Sequence, residues 1–473
     1  MNVLKTMRRI RHIHFVGLGG EGMSGIAEVL LTQGYQVSGS DLMENTALKR
    51  LRQLGASVSI GHHANHIQDT DVVVVSSAVD PNNPELCAAR ERRIPIVPRA
   101  GMLAELMRFR YGIAIAGSHG KTTTTSLIAS LLAEAGLDPT FVIGGKLNST
   151  ELNARLGASP YFVAEADESD ASFLHLHPMA VVVTNIDRDH LPTYQGNFAL
   201  LQQAFLDFIH QLPFYGFAVL CLDDPIIKNL LPKISRSFIT YGFHPDADYR
   251  ITHYRQEGLR SHFSVESRDG KILNIHLNMP GRHNAQNATA ALVVALDEGI
   301  PISTIQDALL HFGGVHRRFN VWGEFHIEQG SVILMDDYGH HPTEVAVTIE
   351  TVRAAWPNRR LVMVYQPHRY TRTRDTFEDT TEVLSGVDQL VMLEVYGAGD
   401  EPIPDADGRA LCRGIRHRGR VDPIFATDEK ALWSILNTLL KEGDVLVMQG
   451  AGNIGAMAAE AAKYLCQFGE LEK

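Results

Sequence analysis

Two glycine-rich loops, each between a short apolar segment and a helical pattern, constrain the fold of this chain more than any other feature. The first is GLGGEG at residues 17–22, after HFV, and the second is GSHGKTT at residues 117–123, after IAIA. Glycines at such a junction allow a tight turn that points backbone N–H groups and a helix N-terminus at an anion. Two strand–turn–helix units of this kind predict an α/β protein that holds two phosphate-bearing ligands.

Strand and helix patterns recur along the chain and group into three units. Continuous apolar segments such as DVVVVSSAV alternate with amphipathic helices, which is typical of parallel sheets covered on both faces. We expect a first domain over residues 1–107, a central domain over 108–320 and a third domain over 321–473. Residues 240–278 alternate polar and apolar side chains, which predicts an antiparallel patch in the central domain.

Composition and charge exclude several classes of protein. The formal net charge of −11 argues against bulk nucleic-acid binding, which normally needs a basic domain. The four cysteines form no CxxC pair, so the sequence predicts neither a zinc site nor a disulfide framework. No apolar stretch is long enough to cross a membrane, and the first apolar run is too short for a signal sequence. We therefore expect a soluble, cytoplasmic protein.

The first loop matches the pattern G-x-G-x-x-G through Gly17, Gly19 and Gly22. Asp41 closes the second predicted strand about 20 residues later, where an acidic residue holds a ribose hydroxyl in dinucleotide-binding domains. These residues alone indicate NAD or another nucleotide and do not choose between them. A glycine turn needed only for packing the helix on the strand is the alternative without a ligand.

The second loop is the more specific signal. Gly117–Thr122 resembles the phosphate-binding pattern G-x-x-x-x-G-K-[ST], although Ile115 occupies the first glycine position. Lys121 can reach the β- and γ-phosphates of a nucleotide, and Thr122 can hold Mg²⁺. A capped helix start without a ligand is the alternative, but the strand before and the helix after favour a phosphate loop.

Polar segments follow the next two predicted strands. Glu165–Asp170 places four carboxylates within six residues, and Asn185–His190 ends the strand after it. Ligands of open α/β sheets collect at the carboxyl ends of strands, and Mg²⁺ combines a few carboxylates with substrate phosphates. Glu165 and His190 are therefore candidate metal ligands, with a solvated acidic loop and a surface histidine as the alternatives.

Four further clusters are rich in arginine, histidine and amides: residues 283–287, 317–319, 336–341 and 366–374. Arginine pairs bidentately with phosphate or carboxylate, so their combination suggests a site for anions. Each cluster taken singly is more typical of a surface than of a site.

Taken in order, these segments resemble the Mur ligase family of peptidoglycan synthesis. The matching stretches are HFVGLGGEGMSGIAE, GSHGKTTTT, EADESDASFL, TNIDRDH, PGRHNAQNATAA, HRRF, DDYGHHPTEV, QPHRYTRTRD and QGAGNIG. The first and seventh are most similar to the branch that adds L-alanine. The resemblance implies a Rossmann-like N-terminal domain that binds a UDP-sugar. It also implies a central P-loop ATPase-type domain that binds ATP and a Rossmann-like C-terminal domain that binds the amino acid.

The resemblance also implies a role for individual residues. The UDP-sugar would be bound by Gly17, Gly19, Gly20, Gly22, Met23, Ser24, Ser40, Asp41 and Ser76. ATP would be bound by Gly117, Ser118, His119, Gly120, Lys121, Thr122, Thr123, Asn284, Asn287, Arg318 and Asp337. The amino acid would be bound by Tyr338, His340, His368, Arg369 and Arg372. Two Mg²⁺ ions, which Mn²⁺ could replace, would be held by Thr122, Glu165 and His190.

The reaction implied by the resemblance joins L-alanine to the lactyl carboxylate of UDP-N-acetylmuramate through an acyl phosphate, with release of ADP and phosphate. Lys121, Arg318 and Mg²⁺ would neutralise charge in the phosphoryl transfer. His340 or His368 is a candidate base for the amine. The residues expected to carry the chemistry are Lys121, His190, Arg318, His340, His368, Arg369 and Arg372. The partners are small molecules, and the chain would act as a monomer or a homodimer.

Three other functions remain open on the sequence. A neighbouring branch joins a whole murein tripeptide to the same sugar nucleotide. A nicotinamide-dependent oxidoreductase would explain GLGGEGM and Asp41 but not GSHGKTTTT, and a regulator would hydrolyse ATP without ligation. The chain also departs from the family pattern at Glu21, Ser118 and Pro192, and the Glu21 carboxylate would have to point away from the diphosphate.

Overall fold

The computed structural model describes residues 7, 9–76, 78–148, 152–327 and 330–470. The side chains of Glu21 and of residues 466–470 lie outside this description, so the expectation for the Glu21 carboxylate stays a prediction. The chain forms two compact units. The first takes in residues 1–254, 262–278 and 284–313, and the second takes in residues 255–261, 279–283 and 314–473.

The first unit begins with a five-stranded parallel sheet in the order β3-β2-β1-β4-β5. Its strands are β1 (His12–Val16), β2 (Gln36–Asp41), β3 (Ser57–Ile60), β4 (Val72–Val75) and β5 (Ile96–Pro98). Its helices are α1 (Glu21–Thr32), α2 (Thr46–Gln53), α3 (Pro84–Glu91) and α4 (Arg99–Met107). The Asn45 side chain caps α2 by accepting from Leu48 N, and Pro84 occupies the first turn of α3, where a missing N–H has no cost.

A ten-stranded sheet follows in the same unit, in the order β15-β14-β13-β12-β11-β10-β6-β9-β7-β8. Its strands are β6 (Tyr111–Ala116), β7 (Thr140–Val142), β8 (Ala154–Arg155), β9 (Tyr161–Glu165), β10 (Ala180–Val183), β11 (Phe217–Cys221), β12 (Ser237–Gly242), β13 (Tyr249–Glu257), β14 (Arg260–Ser267) and β15 (Ile272–Leu277). The helices are α5 (Lys121–Glu134), α6 (Phe198–His210), α7 (Pro225–Leu230), α8 (Arg282–Asp297) and α9 (Ile302–Leu310). The short turns that join β13, β14 and β15 require antiparallel pairing, as the alternating pattern of residues 240–278 predicted.

The second unit contains a six-stranded sheet in the order β16-β17-β21-β18-β19-β20, in which only β16 is antiparallel to its neighbour. The strands are β16 (Asn320–Ile327), β17 (Gly330–Asp337), β18 (Leu361–Tyr365), β19 (Gln389–Met392), β20 (Ile424–Phe425) and β21 (Val445–Gln449). The helices are α10 (Pro342–Ala355), α11 (Tyr370–Asp375), α12 (Phe377–Leu384), α13 (Gly408–Arg418), α14 (Glu429–Leu439) and α15 (Ile454–Glu470). Alternate strand residues such as Leu334 and Met335 enter separate apolar cores, which is expected of a sheet covered on both faces.

The three sheets confirm the predicted α/β architecture. The domain boundaries at residues 107/108 and 320/321 remain predictions. Within the described residues, none of the helices has the length and apolar character needed to cross a membrane.

Candidate active site

The first glycine loop turns sharply between β1 and α1. Gly17 has a φ of +81°, and the N–H groups of Gly17 and Leu18 both donate to the Ser40 carbonyl, at 2.9 and 3.0 Å. A Cβ at Gly17 would lie 3.3 Å from Ser76 Cβ and from Val79 Cγ2. Glycine is therefore required here both by the backbone conformation and by the close approach of the segment after β4.

A cavity of about 730 Å³ opens beside this loop at the carboxyl end of the first sheet. Five predicted residues line it: Gly17, Gly19, Gly20, Asp41 and Ser76. The cavity has room for a nucleotide-sized ligand, since small-molecule sites usually span about 300–1,000 Å³.

The structure does not place the other four predicted sugar-nucleotide residues on this wall. Met23, Ser24 and Ser40 are buried in the interior, and Ser40 has no exposed surface at all. Gly22 faces Arg99, because a Cβ there would lie 3.1 Å from Arg99 Nη1. Met23 and Ser24 lie in the first turns of α1 and Ser40 lies in β2, and their contact with a sugar nucleotide stays a prediction.

Asp41 supports the loop through its own carboxylate. Oδ2 accepts from Gly19 N at 2.7 Å, and Oδ1 accepts from Leu42 N at 2.7 Å. The Asp41 carboxylate is therefore hydrogen-bonded to the backbone and is not left unoccupied for a ribose hydroxyl.

A buried carboxylate that the sequence did not single out lies behind this cavity. Glu85 Oε2 accepts from Ser40 Oγ at 2.5 Å, and its Oε1 lies 2.6 Å from His66 Nδ1. Burial opposes its charge, but hydrogen bonds from His14, Ser40 and His66 outweigh burial and lower the pKa of Glu85 to about 2. His62, which lines the cavity, lies 2.9 Å from Ser40 Oγ. The only sequence signal was the position of His62 just after a strand.

The second glycine loop is shaped by close contacts on both sides. Gly117 and Gly120 have φ values of +131° and +83°. A Cβ at Gly117 would collide with Thr184 Oγ1, and one at Gly120 would lie 2.7 Å from Asn287 Oδ1. Asn185 clamps the loop, since its Oδ1 accepts from His119 N at 2.8 Å and its Nδ2 donates to His119 O at 2.9 Å.

Lys121 begins α5 and its ammonium group lies inside the loop. Nζ donates to Gly117 O at 2.6 Å, to Ser118 O at 3.3 Å and to Glu168 Oε1 at 2.8 Å. Burial opposes the charge, but the carboxylates of Glu168, Glu165 and Asp167 outweigh burial and raise the pKa of Lys121. The ammonium group is therefore charged at neutral pH and is held where phosphate oxygens would displace its carbonyl partners.

The predicted metal ligands Thr122 and Glu165 lie together. Thr122 Oγ1 donates to Glu165 Oε2 at 3.0 Å, and Gly144 N donates to the same oxygen at 2.9 Å. Nearby, burial raises the pKa of Glu168 to about 7 although Lys121 opposes this, and its Oε2 is buried without a hydrogen-bond partner. Hard oxygen donors with spare acceptor capacity fit Mg²⁺. His190 instead pairs with Asp189 at 3.4 Å, and its role as a metal ligand stays a prediction.

The remaining residues of the first unit that are predicted to bind ATP lie in or beside the same loop. Asn284 and Asn287 are buried on α8, where Asn287 Nδ2 donates to Asn284 Oδ1 at 3.4 Å. Ser118 Oγ accepts from Asp187 N at 2.8 Å, and Thr123 is buried in the first turn of α5. Asp187, which the sequence placed only within a polar segment, lies 3.0 Å from His119 Nε2 and extends the loop's support.

The second unit gathers Arg318, Asp337 and Tyr338 at the carboxyl end of β17. Arg318 lies over the Tyr338 ring at 5.0 Å and 3.7 Å from Glu344 Oε1. Asp337 is buried, and its carboxylate accepts from Phe319 N at 2.8 Å and from Gly339 N at 2.7 Å. Burial raises the pKa of Asp337, although Arg318 opposes this. The predicted contact of Asp337 with a ribose would therefore compete with bonds that Asp337 already makes.

His340, His368 and Arg372 form a compact cluster nearby. The two imidazole ring centroids are 5.5 Å apart, and Arg372 Nη1 lies 3.3 Å from His368 Nδ1. The ring of His368 stacks on that of Tyr396 at 5.8 Å with an interplanar angle of 8°. Arg369, which has a φ of +66°, pairs with Asp400 at 3.3 Å and is about half exposed, and its contact with the amino acid stays a prediction.

Three family models match the chain in sequence order. They are the Mur ligase family catalytic domain over residues 12–111, the Mur ligase middle domain over residues 115–295, and the Mur ligase glutamate ligase domain over residues 317–452. Together with two glycine-rich loops on successive sheets, they define the class: the chain belongs to the Mur ligase family. It is an ATP-dependent amide-forming ligase of peptidoglycan precursor synthesis. Membership of the Mur ligase family excludes the nicotinamide-dependent oxidoreductase that the first loop and Asp41 alone would allow.

Three solved structures of ligases are similar to this chain. The UDP-N-acetylmuramate–alanine ligase MurC of Thermotoga maritima is 27% identical with a TM-score of 0.82, over 98% of this chain and 100% of that one. The UDP-N-acetylmuramate:L-alanyl-γ-D-glutamyl-meso-diaminopimelate ligase of Neisseria meningitides is 28% identical with a TM-score of 0.60, over 65% of this chain and all of that one. The murein peptide ligase of Psychrobacter arcticus 273-4, 23% identical with a TM-score of 0.71 over 96% of this chain and 99% of that one, shares the fold.

Proposed function

We propose that this chain joins L-alanine to the lactyl carboxylate of UDP-N-acetylmuramate, with conversion of ATP to ADP and phosphate. The likeness to the alanine ligase of Thermotoga maritima over almost the whole length of both chains carries this proposal. The cluster of His340, His368 and Arg372 supports it, because two imidazoles and a guanidinium within a few ångströms suit a small amino acid.

In the proposed mechanism, the two glycine loops divide the nucleotides between them. The cavity of the first sheet takes the UDP of the sugar nucleotide, and the loop of the second sheet takes the phosphates of ATP. The lactyl carboxylate attacks the γ-phosphorus, so that ADP leaves and an acyl phosphate forms. The amine of L-alanine then attacks the acyl carbon, forming the amide and releasing phosphate.

The residues of the second loop would serve the first step through charge. Lys121 is fully charged and stands where it can neutralise the β- and γ-phosphates, and Arg318 would do the same for the transferred group. Thr122 and Glu165 would hold Mg²⁺, which supplies charge neutralisation and polarises the phosphoryl group when bound. Three further features remain predictions: a second ion at His190, the cytoplasmic location, and the monomeric or dimeric state.

A tripeptide ligase is the second candidate, because the ligase of Neisseria meningitides is 28% identical over the part of this chain that it matches. The same three-carbon lactyl acceptor would be used, and only the amine donor would differ. The cluster around His340 does not by itself exclude a peptide amine, so the two functions are separated by experiment.

The test is phosphate release with ATP, Mg²⁺ and UDP-N-acetylmuramate, comparing L-alanine, glycine, L-serine and the murein tripeptide. The expected result is release that depends on L-alanine and yields the amide product. Release with the tripeptide alone would assign the chain to the recycling activity. Release without any amine would indicate ATP hydrolysis uncoupled from ligation and would contradict the proposal.

A further inference from the structure

A second cavity lies beside the ten-stranded sheet, and none of the predicted site residues is among the described residues that line it. It has a volume of about 740 Å³, close to the 730 Å³ of the first cavity, which is room for a small-molecule ligand. Its lining residues lie between positions 222 and 250 and between positions 266 and 268, and we call it the α7 cavity. Its place at the ends of β11 and β12 is typical of a ligand site, because ligands of parallel sheets collect at the carboxyl ends of strands.

One part of the α7 cavity is apolar. Leu222, Leu231 and Pro232 line it together with Phe238 of β12. The Phe238 side chain is 37% exposed, so a ligand that covers it removes apolar surface from water. A ligand with a flat ring suits such a wall, because pairs of aromatic rings gain from their packing as well as from burial.

His244, in the polar part of the cavity, is faced by more N–H donors than its ring can accept. Lys228 Nζ lies 2.9 Å from His244 Nε2, and the backbone nitrogen of Asp246 lies 3.2 Å from His244 Nδ1. An ammonium group only donates, whereas a neutral imidazole accepts at one nitrogen and an imidazolium at neither. At least one of the two donors therefore lacks an acceptor at His244, and an anion bound at Lys228 supplies one.

Two of the three lysine and arginine side chains that line the α7 cavity have no carboxylate partner among the described residues. Lys228 has His244 as its side-chain partner, and the Arg250 guanidinium forms neither a hydrogen bond nor an ion pair with any of these residues. The third side chain, Arg268, pairs with Asp248 at 3.2 Å. Lys228 and Arg250 are both exposed, so an anion can reach them from the solvent.

The carboxylates that line the α7 cavity are bonded to the protein or face the solvent. Asp248 Oδ2 accepts from Thr240 N at 2.9 Å and from Thr240 Oγ1 at 2.7 Å, which also fixes the loop after β12. Glu266 Oε1 accepts from Thr252 Oγ1 at 3.0 Å, and the Asp246 side chain is 81% exposed. Although the formal charges of the cavity cancel, this arrangement leaves two cations for a ligand.

Asp223 connects the α7 cavity to the helix that lies against the second glycine loop. Its Oδ1 accepts from His244 N at 2.7 Å, and its Oδ2 accepts from Gln286 Nε2 at 2.6 Å. Gln286 precedes Asn287 on α8, and a Cβ at Gly120 would lie 2.7 Å from Asn287 Oδ1. One carboxylate therefore joins the wall of the cavity to α8, so a ligand that shifts His244 also acts on the helix beside the loop.

We propose that the α7 cavity binds a phosphate monoester that carries a flat ring, and that its occupancy alters the affinity of the second glycine loop for nucleotide. A phosphate monoester is close to a dianion at neutral pH, so it matches two cations, whereas a carboxylate matches one. Lys228 and Arg250 bind the phosphate, and the ring packs on Phe238. Binding in this cavity does not depend on the proposed ligase function.

Phenyl phosphate is the probe for this site, because it has the ring and the phosphate but no ribose or diphosphate. The full chain is titrated by calorimetry in excess ADP and UDP-N-acetylmuramate, so that neither glycine loop is open to the probe. We expect binding at one site, at least about tenfold tighter than that of inorganic phosphate, which lacks the ring, or of benzoate, which lacks the second charge. Equal affinity for all three would overturn the ligand class.

Matched substitutions test the residues of the α7 cavity. Lys228→Met and Arg250→Met keep an apolar stem and remove the charge, and each should weaken phenyl phosphate binding by about tenfold or more. Lys233→Met removes the charge of an exposed lysine just after α7 that does not line the cavity, and it should leave the affinity unchanged. Phe238→Ala should weaken the binding of phenyl phosphate but not that of inorganic phosphate. Unchanged affinity in both Lys228→Met and Arg250→Met would overturn the site.

The coupling is tested by titrating ADP with and without saturating phenyl phosphate. We expect the dissociation constant of ADP to change by at least about threefold, and the same factor must appear in phenyl phosphate binding when ADP is added. Asp223→Asn replaces one acceptor oxygen by an NH₂ group, so it should keep phenyl phosphate binding and reduce the factor toward one. An unchanged factor in Asp223→Asn would refute the connection through this carboxylate. Failure of the unsubstituted chain to bind ADP would instead refute the predicted role of the second glycine loop.

Discussion

The two glycine loops of this protein have the same local design and different electrostatics. Both join a buried parallel strand to a helix, and both contain a glycine at positive φ against a neighbouring segment. The first loop is supported by Asp41, whose carboxylate accepts from the loop backbone. The second encloses the ammonium group of Lys121, with Glu165 and Glu168 beside it.

This difference matches what happens to the two diphosphates in the proposed reaction. A diphosphate that is only bound can be held by backbone N–H groups and a helix N-terminus. A phosphoryl group that is transferred develops charge that must be neutralised by a cation and a metal ion. The comparison teaches that the glycine pattern marks a place for phosphate, whereas the charged side chains around it distinguish binding from chemistry.

The largest expected effect is the loss of the ammonium group in the second loop. Lys121→Ala should lower L-alanine-dependent phosphate release by about 10²–10³-fold or more, because it removes a preorganised charge from the γ-phosphate. Lys233→Ala, at an exposed position, is the control and should leave the rate unchanged. If Lys121→Ala kept a rate within tenfold of the unsubstituted chain, the charge of Lys121 would not distinguish the second loop from the first.

A Cβ in each loop gives the next largest effect and compares the loops directly. Gly117→Ala brings Cβ into Thr184 and strains a φ of +131°, whereas Gly17→Ala meets its neighbours at 3.3 Å with a φ of +81°. Strain of about 1–3 kcal/mol is expected at each position, and only Gly117→Ala adds a collision.

Calorimetry with ADP and with the UDP-sugar measures the outcome. Gly117→Ala should weaken ADP binding by more than tenfold, and Gly17→Ala should weaken only UDP-sugar binding. If either substitution weakened the binding of ADP and of the UDP-sugar equally, the two loops would not bind separate nucleotides.

The buried carboxylates near the two loops should differ in their effect on stability against pH. The pKa of Glu85 lies near 2 in the folded chain and near 4.5 when unfolded, so its contribution is present above pH 4.5 and is lost as pH falls toward 2. Glu85→Gln should therefore lower the free energy of unfolding by about 3 kcal/mol at pH 7 and by progressively less in acid.

Glu168 should show the opposite slope. Because burial raises its pKa to about 7, the folded chain binds its proton more tightly than the unfolded chain, and stability falls as pH rises from about 4.5 to about 7. Glu168→Gln should flatten this fall. Denaturant unfolding between pH 3 and pH 8 gives the free energy of unfolding of both variants. If the contributions of Glu85 and Glu168 changed with pH in the same direction, the predicted difference between them would be wrong.

The smallest expected effect is at Gly22, the last glycine of the first pattern. A Cβ there would meet the Arg99 side chain, at 3.1 Å from Nη1 and 3.3 Å from Cδ, and alanine is favoured over glycine in a helix by up to about 1 kcal/mol. Gly22→Ala should therefore change UDP-sugar affinity by less than about threefold. A larger loss would mean that Gly22 contacts the ligand after all.

Much of the architecture could be predicted from the sequence. Apolar runs such as VVVV and AVVV lie in central strands, and both glycine loops lie at the predicted strand–helix junctions, because periodicity and turn chemistry are local properties. Thr122 and Glu165 lie next to each other because Glu165 ends β9 and the loop before Thr122 follows β6, and the two strands are parallel neighbours. Their role as metal ligands stays a prediction.

Other parts of the site could not be predicted in this way. The side chains of Met23, Ser24 and Ser40 lie in the interior and Arg369 pairs with Asp400, so their expected contacts with the sugar nucleotide and the amino acid stay predictions. Glu85 was not considered, although it organises the wall of the first cavity. A side chain's direction depends on the packing around it, and sequence distance from a motif does not report that packing.

The sequence by itself determined the strand–turn–helix units, their order and the kinds of ligand that they suit, because glycine, lysine and carboxylate positions follow local chemistry. Only the tertiary structure decided which charged side chains lie next to each other. It set the ammonium group of Lys121 against the carboxylate of Glu168, 47 residues further along the chain. Because these two residues are far apart in the chain, the surroundings of the Lys121 charge follow from the fold and not from the glycine pattern.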